Sequence, residues 1–285
     1  EREEAASPAA ARRSDAGSGR KYAATVHTSL ESAERVWRSL EANGSLTAFQ
    51  RFDWIRAMSE YLIDFRDSDW QIVEVSTRRG GKTVMLLPFV RVSRRGYRVT
   101  EYVTEQVCDY VAPIMADAFE LDAADMADIW SAVRNALAPT DLIRMPRIAQ
   151  SPYDVFNPLT LIKGATLSSH VAMSMPLKGD ASNALEQTFP AQFVRDYKKF
   201  SRKIGRKGGP LEFVEARTIE EANEILDMLV AQRTARFARI GRADIMTRPE
   251  VVAFYRAAAA RGLEDGSARL VAARVGGVGL DLQRD

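Results

Sequence analysis

The sequence predicts an α/β chain of the α+β kind in which one order of elements, strand–helix–helix–strand–strand, occurs twice. Three observations carry this reading. Alternating stretches at Tyr22–His27 and Leu211–Glu215 each lead into a capped helix. Each capped helix is followed by a second helical pattern before the apolar period drops from helical spacing to two. The period-two stretches are then folded back by glycine turns, Arg79–Gly80–Gly81 in the first copy and Gly276–Gly277 in the second.

In the first copy Ser29 can cap a helix that carries Glu31 and Glu34 early and ends at Asn43–Gly44. A second helix is expected from Arg51 to Leu62, with Trp54, Ile55, Met58, Tyr61 and Leu62 on one side. Trp70–Thr77 and Lys82–Val92 read as a hairpin, and Tyr97–Val103 continues the sheet. Cys108–Pro113 is an apolar segment with one acid, Asp109, embedded in it. A helix over Ala123–Leu137, a strand at Asp141–Met145 and a further strand at His170–Pro176 are expected next.

Ala191–Lys207 is a basic amphipathic helix, closed by Gly208–Gly209–Pro210. Its basic residues stand opposite Phe193, Tyr197, Phe200 and Ile204, and could meet phosphate, lipid headgroup or RNA, or only solvent. In the second copy Thr218 and Glu221 form a capping box for a helix reaching Ala238. Pro249 opens the next helix as its first residue, and the helix ends near Gly262. Strands at Ala268–Val275 and Val278–Gln283 follow, and the second copy is expected to be incomplete.

Composition narrows the function classes. Hydrophobic residues are 46% and charged residues 27% of 285, which is ordinary for a globular chain. A net charge of +2 gives no overall field to draw nucleic acid or an anionic membrane. The longest apolar stretch, Val84–Val90, is interrupted by Pro88 and falls far short of the ~20 residues of a membrane span. A single cysteine, Cys108, allows no disulfide framework within the chain, which fits the cytoplasm. Residues 1–20, rich in Ala, Arg, Ser and Glu, read as a disordered tail.

The order strand–helix–helix–strand–strand resembles the opening of the GNAT acyltransferase fold. Two such units in one chain resemble the FemAB-like proteins and the CelD/BcsL-type acetyltransferases. Local patterns are similar to the latter: Phe49–Gln50 with Trp54, Leu86–Leu87–Pro88, Asp109–Tyr110 with Pro113, and the basic helix before Gly209–Pro210–Leu211–Glu212–Phe213. Gln232–Arg233 with Arg236, Pro249, Phe254–Tyr255 and Ala268–Arg269–Leu270 continue in the family's order. The resemblance implies tandem GNAT-like domains with mixed, mostly antiparallel sheets flanked by helices. The units would be 21–180 and 211–285, joined by a basic linker helix at 181–210. It also implies an acyl-CoA-dependent N- or O-acyltransferase, using acetyl-CoA or another acyl-CoA, that serves cellulose or exopolysaccharide biosynthesis with a small-molecule or saccharide acceptor. An aminoacyl transferase using charged tRNA and a non-catalytic binding or scaffold module are the alternatives.

Such an enzyme holds the acyl-CoA pyrophosphate at a helix N-terminus, through a loop reading Gln/Arg-x-x-Gly-x-Gly/Ala. Arg202–Lys207 matches only its first four positions and lies before the second copy's first strand. No glycine occurs in Thr104–Ala124, where the first copy would carry the loop. No cofactor-binding residue is therefore assigned, and this chain alone is expected to lack activity. The catalytic candidates are Asp109 and Tyr110, to bind or activate an acceptor hydroxyl, and Tyr255, to protonate a leaving group. Their ordinary alternatives are a capping acid and packed aromatics. Trp54, Arg233 and Arg236 are the substrate-binding candidates; the arginines could equally form the solvated face of a helix. His27 and His170 have no partners at metal-ligand spacing, so no metal site is expected.

Overall fold

The first copy builds its sheet from strand β1 (Tyr22–His27), the long hairpin β3 (Ser68–Thr77) and β4 (Thr83–Arg94), and β5 (Tyr97–Tyr102). These are the predicted strands, and the computed structural model describes residues 20–65, 67–117, 119–152, 155–168, 171–173, 175–180, 182–276 and 278–279. Residues 1–19 of the expected tail, His170 and the last residues of the final expected strand lie outside that description.

Between β1 and β3 run helices α1 (Leu30–Asn43) and α2 (Phe52–Tyr61). The Ser29 side chain accepts from the Ser32 amide at 3.2 Å, so the predicted cap is formed. The strands order as β1–β3–β4–β5, each pair antiparallel, and β7 (Leu142–Arg144) adds in parallel beside β5. Two short strands had no sequence signal: β2 (Gly44–Ser45) pairs with β6 (Ile114–Ala116), and β6 also pairs with the start of β4. Helix α3 (Ala123–Ala136) covers the face opposite α1 and α2, burying Met126, Ile129 and Val133 against Val73, Val75 and Leu87.

After a short helix α4 (Ala184–Thr188), the predicted basic helix appears as α5 (Ala191–Gly208). The second copy then follows: β8 (Leu211–Glu215), α6 (Ile219–Arg239), α7 (Pro249–Asp265), β9 (Val271–Val275) and β10 (Val278–Gly279). Its capping box is present, with Glu221 N–H donating to Thr218 and Thr218 N–H to Glu221. Gly266, at φ 72°, supplies the left-handed residue that ends α7, three positions beyond the expected end. The pairing repeats too: β8 with β9 as β1 with β3, and β9 with β10 as β3 with β4, all antiparallel.

The strand expected at His170–Pro176 is corrected. Its described residues, Val171–Met173 and Met175–Pro176, form no strand. The alternation of Val171, Met173 and Met175 looks like a half-buried strand, but Val171 is 83% and Met173 91% exposed. Alternation signals a strand only where a sheet or core receives one of its faces.

The two copies share a core. Met246, Val251 and Phe254, from the end of the α6–α7 connection and the start of α7, are buried with Trp37, Phe52, Ile55, Met58 and Cys108 of the first copy. Helix α7 serves both cores. Val251 and Phe254 go to the first copy, Ala259 and Leu263 pack with Ala222, Ile225 and Leu226 of α6 and Ala272 of β9, and Tyr255 touches both. Thus α2 and α7, the second helix of each copy, pack on each other. Because Phe254 is fully buried, Phe254→Ala should cost about 3–5 kcal/mol. Tryptophan fluorescence and far-UV circular dichroism should lose signal in one shared, earlier denaturant transition. Two separated transitions would show that the copies fold independently.

Candidate functional site at the seam of the two helix pairs

Four backbone anchors position the Cys108–Pro113 segment. Gln50 donates from Nε2 to the Tyr110 carbonyl at 3.2 Å, and Asn157 donates from Nδ2 to that of Val111 at 2.8 Å. The Tyr102 hydroxyl donates to the Ala112 carbonyl at 2.6 Å, and the Val111 amide donates to the Arg147 carbonyl at 3.1 Å. The chain enters through Glu105 and Gln106, both left-handed at φ 38° and 64°. Two consecutive non-glycine residues there store strain of roughly 1–3 kcal/mol each, held by the surrounding packing. The result is a fixed strap that presents Cys108, Asp109 and Tyr110 to the seam.

The opposite wall is α2 and α7. Trp54 meets Phe254 edge to face, with centroids 4.8 Å apart, and meets Tyr255 at 6.4 Å. Phe49 bridges Trp54 at 5.9 Å and Tyr110 at 6.0 Å. Of the sequence candidates, Trp54, Tyr110 and Tyr255 therefore join one aromatic cluster. Tyr255 is half-buried, and burial raises its phenol above the ordinary value. Arg233 works against that rise, while Asp109 and Cys108 add to it, so all three lie within electrostatic reach of the ring. Asp109 itself is exposed. Arg236 stands apart, exposed on α6, with no side-chain hydrogen bond or ion pair among the described residues.

Asp244 belongs to this group without any sequence signal. Its Oδ1 accepts from Arg233 Nε at 2.7 Å and from the Met246 amide at 3.2 Å. Oδ2 is buried without a partner, and the Asp244 side chain is only 2% exposed. The Trp54 indole N–H is likewise buried without a hydrogen bond of good geometry, although it is close enough to the Cys108 thiol to favour the thiolate. Burial outweighs that influence and pushes the Cys108 thiol up to about 12.

On the other side of Trp54 the seam opens as a cleft of about 530 Å³, counting its mouth. Phe49, Arg51 and Asp53 line it from the first copy, and Arg261, Asp265 and Ser267 from the second. Asp53 is the charge hub. Arg38 grips it with two bonds of 2.8 and 3.0 Å, Arg56 with one of 2.6 Å, and Arg261 reaches its carboxylate at 3.5 Å and its carbonyl at 3.1 Å. Hydrogen bonding to Arg38 first, against the cost of burial, holds the Asp53 carboxyl below the usual range. Its stabilising contribution is therefore present above the ordinary carboxylate pKa and fades as pH falls through the lowered value. The Asp53–Arg261 pair spans 208 positions, so nothing in the sequence announces it.

Residues 191–279 match the acetyltransferase (GNAT) domain. Neither the curated proteins nor the solved structures gave a match to the chain. The GNAT match runs from α5 to β10, so it includes Arg233, Asp244 and Tyr255 and leaves Trp54, Asp109 and Tyr110 outside. Acyl transfer from an acyl-CoA is the chemistry of that domain. In the first copy, α3 does not fit an acyl-CoA pyrophosphate. Its N-terminus is capped by the Asp122 carboxylate, and Asp125 and Asp128 beside it are engaged by Lys21 and the Tyr22 amide. Those carboxylates would repel the phosphates that a helix N-terminus otherwise attracts. Among the described residues no cluster of His, Cys, Asp and Glu could hold a metal ion, and no helix is long and apolar enough to cross a membrane.

The raised thiol and full burial of Cys108 give a direct check on the closed seam. In the native protein the thiol should be almost unreactive toward a disulfide reagent at pH 8, and should react at once in denaturant. Rapid native reaction would show that the strap opens.

Proposed function

We propose that this chain is a GNAT-type acyltransferase that moves an acyl group from an acyl-CoA to an amine or hydroxyl of its acceptor. The observation that carries this reading is the match of residues 191–279 to the acetyltransferase (GNAT) domain. The finer reading is a CelD/BcsL-type enzyme with two GNAT-like units, 21–180 and 211–285, acting in the cytoplasm on a saccharide acceptor for cellulose or exopolysaccharide synthesis. The ordered likeness of the Trp54, Asp109–Tyr110 and Phe254–Tyr255 motifs supports it.

The chain's own groups would divide the work at the seam. Tyr255 carries a phenol proton it can donate to a leaving thiolate, a transfer that burial of the phenolate opposes. Asp109, exposed to solvent, can accept one from an entering acceptor. Arg233, fixed by Asp244, keeps a positive charge beside the phenol. Trp54 offers an aromatic edge to the ligand's apolar face and closes the back of the site. A second reading, a non-catalytic GNAT-like binding module, is favoured by the acid-capped N-terminus of α3.

Calorimetric titration with acetyl-CoA separates the two. Saturable binding supports the transferase reading, and where acyl transfer is measurable it should drop roughly 10²–10⁴-fold in Tyr255→Phe at unchanged thermal stability. Failure of the chain to bind acetyl-CoA at all would move it to the binding-module reading.

A further inference from the structure

We propose that α5 docks this chain onto an anionic lipid surface. The helix carries seven basic residues and one acid between Arg195 and Lys207. Arg195, Lys198, Lys199, Arg202, Lys203 and Arg206 are all exposed. Whole-chain charge hides this, because acids elsewhere cancel it to +2.

The opposite stripe is what selects a bilayer. Phe193, Tyr197 and Phe200 follow helical spacing and are 47%, 40% and 56% exposed. Val194, beside this stripe, is buried and Ile204 half-buried, so the helix is held to the body by its smaller residues while its aromatics face outward. Phe189 stacks on Phe193 at 4.5 Å and lengthens the stripe. A nucleic-acid duplex would engage the basic face and leave the aromatics in water. A helix lying in the membrane interface uses both faces: rings sink to the headgroup boundary while lysines and arginines on either flank reach up to anionic headgroups.

The neighbouring chain supports the same orientation. The segment leading to α4 and α5 exposes Leu167, Val171, Met173 and Leu177, and it is tied to the end of α4 by the Lys178 amide donating to Thr188 Oγ1 at 2.8 Å. Phe213 and Val271 are exposed on the face of the β8–β9 sheet from which Val275 meets Gly208 of α5. The apolar surface thus extends past the helix at both ends.

Sedimentation with vesicles tests the proposal. Wild type should bind phosphatidylserine-containing vesicles and not phosphatidylcholine alone. Lys199→Glu/Lys203→Glu/Arg206→Glu, at residues without a side-chain partner among the described residues, should weaken binding by roughly a hundredfold. Phe193→Ser/Tyr197→Ser/Phe200→Ser should weaken it by at least about tenfold, with Val194 and Ile204 kept so that the helix stays attached. Should that variant not fold, Tyr197→Trp reports instead, its added emission shifting to the blue only on anionic vesicles. The proposal is overturned by absent binding to anionic vesicles, or by an aromatic variant that binds like wild type. It is also overturned by a wild-type dimer that the aromatic variant converts to monomer, which would make a second copy the occupant. Preferential binding of RNA over anionic vesicles overturns it as well.

Discussion

Everything at the seam depends on the burial of one helix face, the Val251 and Phe254 side of α7, in a core that belongs to the first copy. The second copy's own core is built largely of small residues, Ala216, Ala222, Ala259 and Ala272, around Ile225 and Leu226. Small side chains let α6, α7 and β9 approach closely, but they remove little apolar area from water, and burial energy scales with that area. Of the large side chains of α7, Val251 and Phe254 are used across the seam, Leu263 packs on the second copy's own core, and Tyr255 touches both. The position of α7, and with it Tyr255, is therefore set by α2 at least as much as by α6.

Charge reinforces this arrangement from the solvent side. Phe254 docks beside Trp54 on the inside of α2, while Arg261, two turns further along α7, reaches Asp53 in the first turn of the same helix. Asp53 already serves Arg38 and Arg56, so Arg261 adds a fourth member to a network anchored within the first copy. At this half-exposed location the gain is modest in energy, because solvent screens it. Its value is in direction: two residues of α7, two turns apart, converge on neighbouring positions at the start of α2. The Trp54 ring lines the cleft and also meets Tyr255.

Much of the fold was legible because local signals agreed with the tertiary outcome. Ser29, the Thr218–Glu221 box and Pro249 each mark helix starts through side-chain or ring geometry that needs no distant partner. The β3–β4 hairpin shows itself through Val, Leu and Phe on both arms of a double-glycine turn. What failed did so for lack of such closure. Val171, Met173 and Met175 alternate like a strand, yet no neighbouring strand receives them. The short β2 and β6 exist only because Gly44 lets its backbone come against Met115, where any Cβ would overlap the Met115 carbonyl. At the candidate site, chemistry-bearing residue types drew attention to Asp109, Tyr110 and Tyr255. Asp244 and Arg261 gave no sign, since their roles come from partners 11 and 208 positions away.

The family match and the site geometry divide the molecule along different lines, and the difference has a consequence. The matched segment, 191–279, holds Tyr255, Arg233 and Asp244. The groups that complete their surroundings, Trp54 and the Cys108–Tyr110 strap, come from the first copy and are fixed there by Gln50, Tyr102 and Asn157. Cut free, the matched segment would expose Val251, Phe254 and Met246, all buried in the whole chain. It would also leave Tyr255 without the packing that raises its phenol. The chemistry of a GNAT-like segment is therefore conditioned by a neighbour that the family match does not include. Two copies of one pattern meet through their equivalent second helices, and the surroundings of Tyr255 belong to their contact.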